Sequence, residues 1–262
     1  MSSAIKSVIV LMISILGVHL VYQGYIRPEA QSVMDASRLA GLSAPRDMVV
    51  ILKDYEQELS IILMFWGIYL ILIKCFEILK HRFVFQVDLL DGSGEDKEEP
   101  ELALKALHQL PENLKITPLV KTLMASLRRY LITRDVQNTS DAILSSIDAL
   151  AMKQEAENSM IRYLIWAIPS IGFIGTVRGI GEALSLADQA LAGDIAGMTD
   201  SLGVAFNSTL VALLISIGLM FLLHQLQRLQ DSVVVDTQEY CERFLLTRIS
   251  LSWHPQMEAD HK

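Results

Sequence analysis

The sequence predicts an all-α integral membrane protein with four transmembrane helices and long cytoplasmic helical extensions. Three observations carry that reading. The 262-residue chain is 52% hydrophobic and only 20% charged, with a mean hydropathy of +0.37, more apolar than an ordinary water-soluble domain. Four runs, at 7–26, 59–79, 163–187 and 202–223, are long enough or nearly so to cross a hydrocarbon core of about 30 Å. The segments between them repeat their apolar residues at helical spacing rather than in alternation.

Residues 1–26 form the first span. Lys6 ahead of an apolar run resembles a secretory leader, but the run is long for one and no Ala-x-Ala-like site follows, so cleavage is the minor alternative. His19 and Gln23 sit in its outer part. A histidine within a span is a functional candidate, although near a helix end it more often reaches the interface, which is the reading adopted. Residues 27–58 are polar and predicted to be periplasmic, with Arg27, Arg38, Arg46 and Lys53; Gly41 and Pro45 divide them into helical pieces near 28–42 and 46–59.

The second span, 59–79, carries Phe65, Trp66 and Tyr69, and Lys74, Lys80, His81 and Arg82 crowd its far end. Lys74 can snorkel outward, and the positive-inside rule makes this end cytoplasmic. Residues 80–162 hold more Lys and Arg than any other non-membrane segment. Both termini are therefore predicted to be cytoplasmic. That segment opens with an acidic, glycine-bearing linker at 88–100 with the composition of disorder. Three amphipathic helices follow, marked by Leu102, Leu104, Leu107 and Leu110, then Leu119, Leu123, Leu127 and Leu131, then Ile143, Ile147, Leu150 and Met152. The third continues into the next span.

The third span, 163–187, and the fourth, 202–223, joined by a short periplasmic loop at 188–201, hold the residues of greatest interest. Gly172, Thr176 and Gly179 fall near one helical face, and Gly175 with Gly179 is a pair of small residues four apart, the spacing that lets membrane helices approach closely. Pro169 precedes them. Arg178 is about 22 Å along the helix from Tyr163. A charge at the bilayer centre costs about 2.5–3.5 kcal/mol on insertion scales, so it requires a partner, and Glu182 at i+4 is the predicted one. The pair is either an interfacial ion pair or a charged ring at the mouth. The fourth span is uncharged. Ala205, Thr209, Ala212 and Ser216 form a stripe of small and hydroxyl residues along it, either a packing seam with hydroxyls bonded to their own helix or part of an ion path. Residues 224–262 continue the helix into the cytoplasm.

Several function classes are disfavoured. The net charge of −8 is spread out, with no basic patch for nucleic acid. Cys75 and Cys241 are too few for a disulfide framework. No His/Cys/Asp/Glu set has metal spacing and no nucleophile–base arrangement is visible, so no catalytic residue, metal or cofactor is assigned. Asn138-Thr139-Ser140 and Asn207-Ser208-Thr209 match the glycosylation pattern by chance.

Ile171-Gly172-Phe173-Ile174-Gly175-Thr176-Val177-Arg178-Gly179-Ile180, preceded by Pro169, resembles the Ile-Gly-x-x-Gly-Thr-Val-x-Gly-Ile motif of the MotA/TolQ/ExbB proton-channel family. Residues 205–218 resemble the segment that holds the second pore threonine, which falls on Thr209. The resemblance covers roughly 155–230. TolQ- and ExbB-like members have three spans, so residues 1–58 are an addition. Val204 stands where ExbB-like members carry a glutamate, and Gly218 where a proline is common. The resemblance implies a homopentameric ring in a bacterial inner membrane, surrounding a single-span ExbD/TolR/MotB-like partner that supplies a transmembrane aspartate. Thr176 and Thr209, with Ser216, would line the proton path, and Pro169, Gly172, Gly175, Gly179, Ala205 and Ala212 would pack the pore helices. Proton-driven mechanical work is the implied function, sodium the variant ion, and a non-conducting scaffold the alternative.

Overall fold

The computed structural model describes residues 3–39, 47–90 and 100–251. Gly41, Pro45 and Arg46, where the sequence places a break, lie outside the described residues, as does most of the linker at 88–100. In chain order the elements are α1 (Ser3–Val21), a π-helical turn (Tyr22–Ile26), α2 (Arg27–Leu39), α3 (Met48–Leu52), α4 (Tyr55–His81), a 3₁₀ turn (Arg82–Gln86), α5 (Pro100–Gln109), α6 (Glu112–Lys115), α7 (Pro118–Thr133), α8 (Val136–Glu157), α9 (Ser159–Ser185), α10 (Ala187–Leu191), α11 (Ala196–Tyr240), a second π turn (Cys241–Leu246) and α12 (Thr247–Leu251). No strand occurs among the described residues. Among the described residues four helical stretches are long and apolar enough to cross a membrane: Ile5–Ser37, Tyr55–Gln86, Val136–Ser185 and Ala196–Ser250. The chain divides into two units, residues 1–73 with 159–224 and residues 74–158 with 225–262.

The first unit holds the apolar parts of all four stretches. Its first helix does not end at Pro28. It runs from α1 through the π turn into α2, which corrects the expectation of a new helical piece there. Proline lacks the N–H that an α-helix would direct four residues back. The wide turn has already moved the pattern, with the Arg27 N–H bonded to the Tyr22 carbonyl, so helix continues across the proline. α1 and α4 run antiparallel. Trp66 Nε1 donates to Ser7 Oγ at 3.0 Å near one end, His19 meets Glu58 near the other, and Val18, Tyr22 and Ile62 are buried between.

α9 and α11 are also antiparallel. Along α9 the buried positions include Ile161, Ile165, Ile168, Gly172, Gly175, Gly179 and Ala183, mostly the alternating three-and-four spacing of a coiled-coil seam. Facing them α11 buries Val204, Ala205, Ser208, Ala212, Ser216 and Leu219. Phe173, Ile174, Val177, Phe206, Leu210, Leu213 and Ile217 remain exposed, which suits surfaces facing lipid or other subunits. α4 joins through Gly67, where an added Cβ would lie 3.2 Å from Leu219 Cδ2 and 3.5 Å from Leu164 Cδ1.

The second unit has its own apolar core. α7 ends at Arg134, whose left-handed φ of 52° lets the chain reverse. The Asp135 carboxylate then accepts from the Gln137 and Asn138 N–H groups and starts α8. Leu119, Leu123, Leu127 and Tyr130 of α7 pack with Ile143 and Ile147 of α8 and with Tyr240, Cys241, Leu245 and Ile249. The stripe on α7 finishes on Tyr130 rather than Leu131, since 3.6 residues per turn carries a strict four-residue repeat off the buried face. On α5 the buried residues are Pro100, Ala103 and Leu107, while Leu102 is exposed. Tyr240 Oη accepts from the Leu89 N–H at 2.8 Å and donates to the Val87 carbonyl at 3.0 Å, and Arg248 pairs with Asp88 at 2.6 Å. Within the same unit a buried Asn158–Gln230 amide pair, 2.7 Å in one direction and 3.4 Å in the other, satisfies both side chains at the end of α8. Cys75 and Cys241 are free thiols.

Candidate functional site: the threonine seam and its charged mouth

The seam exists because glycines on α9 remove the side chains that would separate it from α11. A Cβ on Gly172 would fall 2.6 Å from Ala212 Cβ and 2.9 Å from the Ser208 carbonyl oxygen. On Gly175 it would fall 2.5 Å from Ser208 Cβ, and on Gly179 2.7 Å from Ala205 N and from the Ser201 carbonyl oxygen. Ordinary side chains do not come this close, so any larger residue must push the helices apart. Ala205 and Ala212 on the opposing face are fully buried.

That approach brings the two threonines together. Thr176 Oγ1 and Thr209 Oγ1 are in hydrogen-bond contact. Thr176 Oγ1 also lies 3.0 Å from the Ala205 carbonyl oxygen and 3.3 Å from that of Gly172, and Thr209 Oγ1 lies 3.1 Å from the Gly172 carbonyl oxygen. Each hydroxyl owns one proton and can accept as well as donate. Two protons therefore serve three carbonyl contacts and the hydroxyl–hydroxyl contact. If both hydroxyls donated to carbonyls, two oxygens would face each other with no hydrogen between them. One threonine must donate to the other, in either sense, and the pair can reverse its polarity by rotating two C–O bonds.

Ser216 has a different role in the packing. It is buried and its Oγ donates to the Ile165 carbonyl at 2.9 Å. Ile165 is four residues before Pro169, which lies inside α9. The proline cannot donate to that carbonyl, and the serine from the neighbouring helix does. In a lipid-facing bundle a freed carbonyl needs such a partner. Ser216→Ala is expected to destabilise the helix pair by about 1 kcal/mol, within the range for interhelical hydrogen bonds in membranes. Thermal unfolding in detergent would show it, and an unchanged midpoint would mean that water or backbone adjustment serves Ile165 instead. Ser208 bonds back to its own helix, at the Val204 carbonyl. Thr209 and Ser216 instead bond across to α9.

Arg178 lies two residues beyond Thr176. Its Nη1 donates to Glu182 Oε1 at 3.2 Å, as the i+4 spacing predicts. Its shorter contact is with a residue the sequence reading missed. Glu56, at the start of α4, receives Nε at 2.8 Å and Nη2 at 2.9 Å in a two-pronged pair. Asp54 stands 4.0 Å away, with Oδ2 buried and without a hydrogen-bond partner. Burial pushes the Asp54 carboxyl above its ordinary range; Lys53 and Arg178 pull the other way, and Glu56 and Glu182 add to the rise.

Glu58 faces α1. It accepts from His19 Nδ1 at 2.7 Å and pairs with Arg27, whose guanidinium also sits 4.2 Å from the Tyr55 ring centroid. His19 is half exposed, and Glu58 is its partner. The π turn makes the double contact possible. Eight α-helical steps would leave Arg27 about 80° round from His19, and a wider turn brings it back towards the same face. The missed signal was Asp54-x-Glu56-x-Glu58. Residues two apart on a helix point about 200° apart, so one carboxylate serves α9 and the other α1. Among the described residues no group of three His, Cys, Asp or Glu is placed to hold a metal ion.

No curated protein and no solved structure matches this chain. The model of the MotA/TolQ/ExbB proton channel family matches residues 115–239, which include α9 and the seam face of α11. Residues 1–114, with α1 and the Glu56 and Glu58 carboxylates on α4, fall outside the match. The stretch that carries the threonine pair is thus similar to the MotA/TolQ/ExbB proton channel family.

Proposed function

We propose that the chain is the ring-forming subunit of a proton-driven motor in a bacterial inner membrane, five copies surrounding a single-span ExbD/TolR/MotB-like partner, with both termini cytoplasmic. The observation that carries this reading is the reversible threonine pair within the family-matched helices. The fourth span offers no ionisable group of its own, so the partner's transmembrane aspartate would supply the proton carrier. Thr176 and Thr209 would bond that carboxylate, or water beside it, in either protonation state, since a hydroxyl both donates and accepts. Protonation and release of the aspartate would turn the partner and ring against each other. The proposal assigns no enzymatic activity and no cofactor beyond the conducted ion, with sodium as the variant that ion replacement would decide.

Native mass spectrometry of the protein co-expressed with the product of the neighbouring reading frame tests the assembly. Five copies holding fewer single-span chains is the expected result. An oligomer that takes up no partner would favour the alternative, a non-conducting scaffold. That alternative draws on Ser216 and Ser208, whose hydroxyls are committed to carbonyls within the chain.

A further inference from the structure

We propose that Glu56 and Arg178 form the electrostatic gate at the mouth of the ion path, Glu56 cancelling the charge that would otherwise bar cations from the threonine pair. The inference rests on the channel reading above and extends it to a residue of α4.

Arg178 is two residues from Thr176, a rise of roughly 3 Å along the helix. Its side chain points to the α4 side of α9 rather than to the threonine face, so a cation reaching the seam from the end that carries Glu182 enters the field of a fixed guanidinium across the helix. Glu56 is the group best placed to neutralise it. Both carboxylate oxygens are engaged, at 2.8 and 2.9 Å, and the side chain is only 11% exposed. Its path is built into the seam, because Glu56 Cγ lies 3.1 Å from where a Gly175 Cβ would be. The same glycine that lets α11 approach α9 also lets the glutamate chain lie against α9 at Gly175, one residue before Thr176.

The remaining charged groups around Arg178 are Asp54 at 4.0 Å and Glu182 at 3.2 Å, with Lys53 acting on Asp54. Glu182 is about half exposed and screened by solvent. Asp54 does not reach bonding distance. Glu56 alone is close, doubly bonded and largely withdrawn from water. Such a pair is poor evidence for stability, because the desolvation of two charges offsets much of their attraction. Keeping a compensated charge beside the seam has a clearer use in controlling which ions approach.

The test measures proton flux, with a pH-sensitive dye under an imposed potential, in vesicles containing the protein and its co-expressed neighbour. Glu56→Gln keeps the size of the side chain and removes its charge, and is expected to lower flux at least ten-fold. Adding Arg178→Gln should restore flux to within about three-fold of the unaltered protein, while Glu56→Asp should lose less than Glu56→Gln. Thermal midpoints of each variant separate charge from folding. Unchanged flux in Glu56→Gln overturns the gate and leaves the channel reading standing. A double variant as impaired as the single one also overturns it and makes the pair a clamp between α4 and α9. Absence of flux in the unaltered assembly overturns the channel reading, and the gate with it.

Discussion

Gly175→Leu is expected to eliminate the assembled protein: no detergent-stable oligomer, and monomer that unfolds well below the unaltered protein. The Cβ alone would sit 2.5 Å from Ser208 Cβ and 2.6 Å from its Oγ, on a helix face that also carries the Glu56 chain. Overpacking a filled core costs about 1–3 kcal/mol when neighbours can shift. Here the flanking contacts at Gly172 and Gly179 are to backbone atoms and alanine Cβ atoms, which cannot rotate away, so relief requires separating α9 from α11. Separation also breaks the Thr209–Gly172 and Ser216–Ile165 hydrogen bonds. Gly175→Ala should be intermediate, with a lowered midpoint and a partial loss of oligomer. Size-exclusion chromatography with light scattering would distinguish the three proteins. A normal oligomer from the leucine variant would mean that the seam is looser than its geometry implies.

Thr209→Val is expected to do the opposite, leaving assembly intact while lowering ion-driven flux at least ten-fold. Valine has nearly the same shape, and an interhelical hydrogen bond in a membrane contributes only about 0.6 kcal/mol on average. The fold should hold. The chemistry should not, since Thr176 would lose the hydroxyl it exchanges roles with, and the pair could no longer reverse its polarity. Thr209→Ser keeps the rotor and should retain most of the flux. The measurement is the same vesicle assay, with native mass spectrometry confirming that the complex forms. Flux near the unaltered level in the valine variant would remove the threonine pair from the mechanism and favour the scaffold.

Much of the site was legible because its signals are periodic. Gly172, Gly175 and Gly179 recur at the three-and-four spacing that defines one helical face, and Ala205, Thr209, Ala212 and Ser216 do the same on the other helix. Local spacing also gave Arg178 its partner at Glu182. Glu56 escaped because it lies 122 residues away in sequence, in a segment whose composition reads as an ordinary polar approach to a span. The continuation of the first helix through Pro28 was hidden as well, since a π turn has no composition of its own and depends on how neighbouring side chains settle.

Residue type and period by themselves determined that the chain is helical, that four segments can cross a membrane, and that two of them present small, hydroxyl-bearing faces. These are properties of single helices, fixed by hydropathy and by 3.6 residues per turn. Only the tertiary structure decided which helix meets which, and in what register. It set Thr176 against Thr209, gave the carbonyl left free by Pro169 to Ser216, and divided Glu56 and Glu58 between Arg178 and the His19–Arg27 pair. A buried charge or an unpaired carbonyl requires a partner, but nothing local says from where.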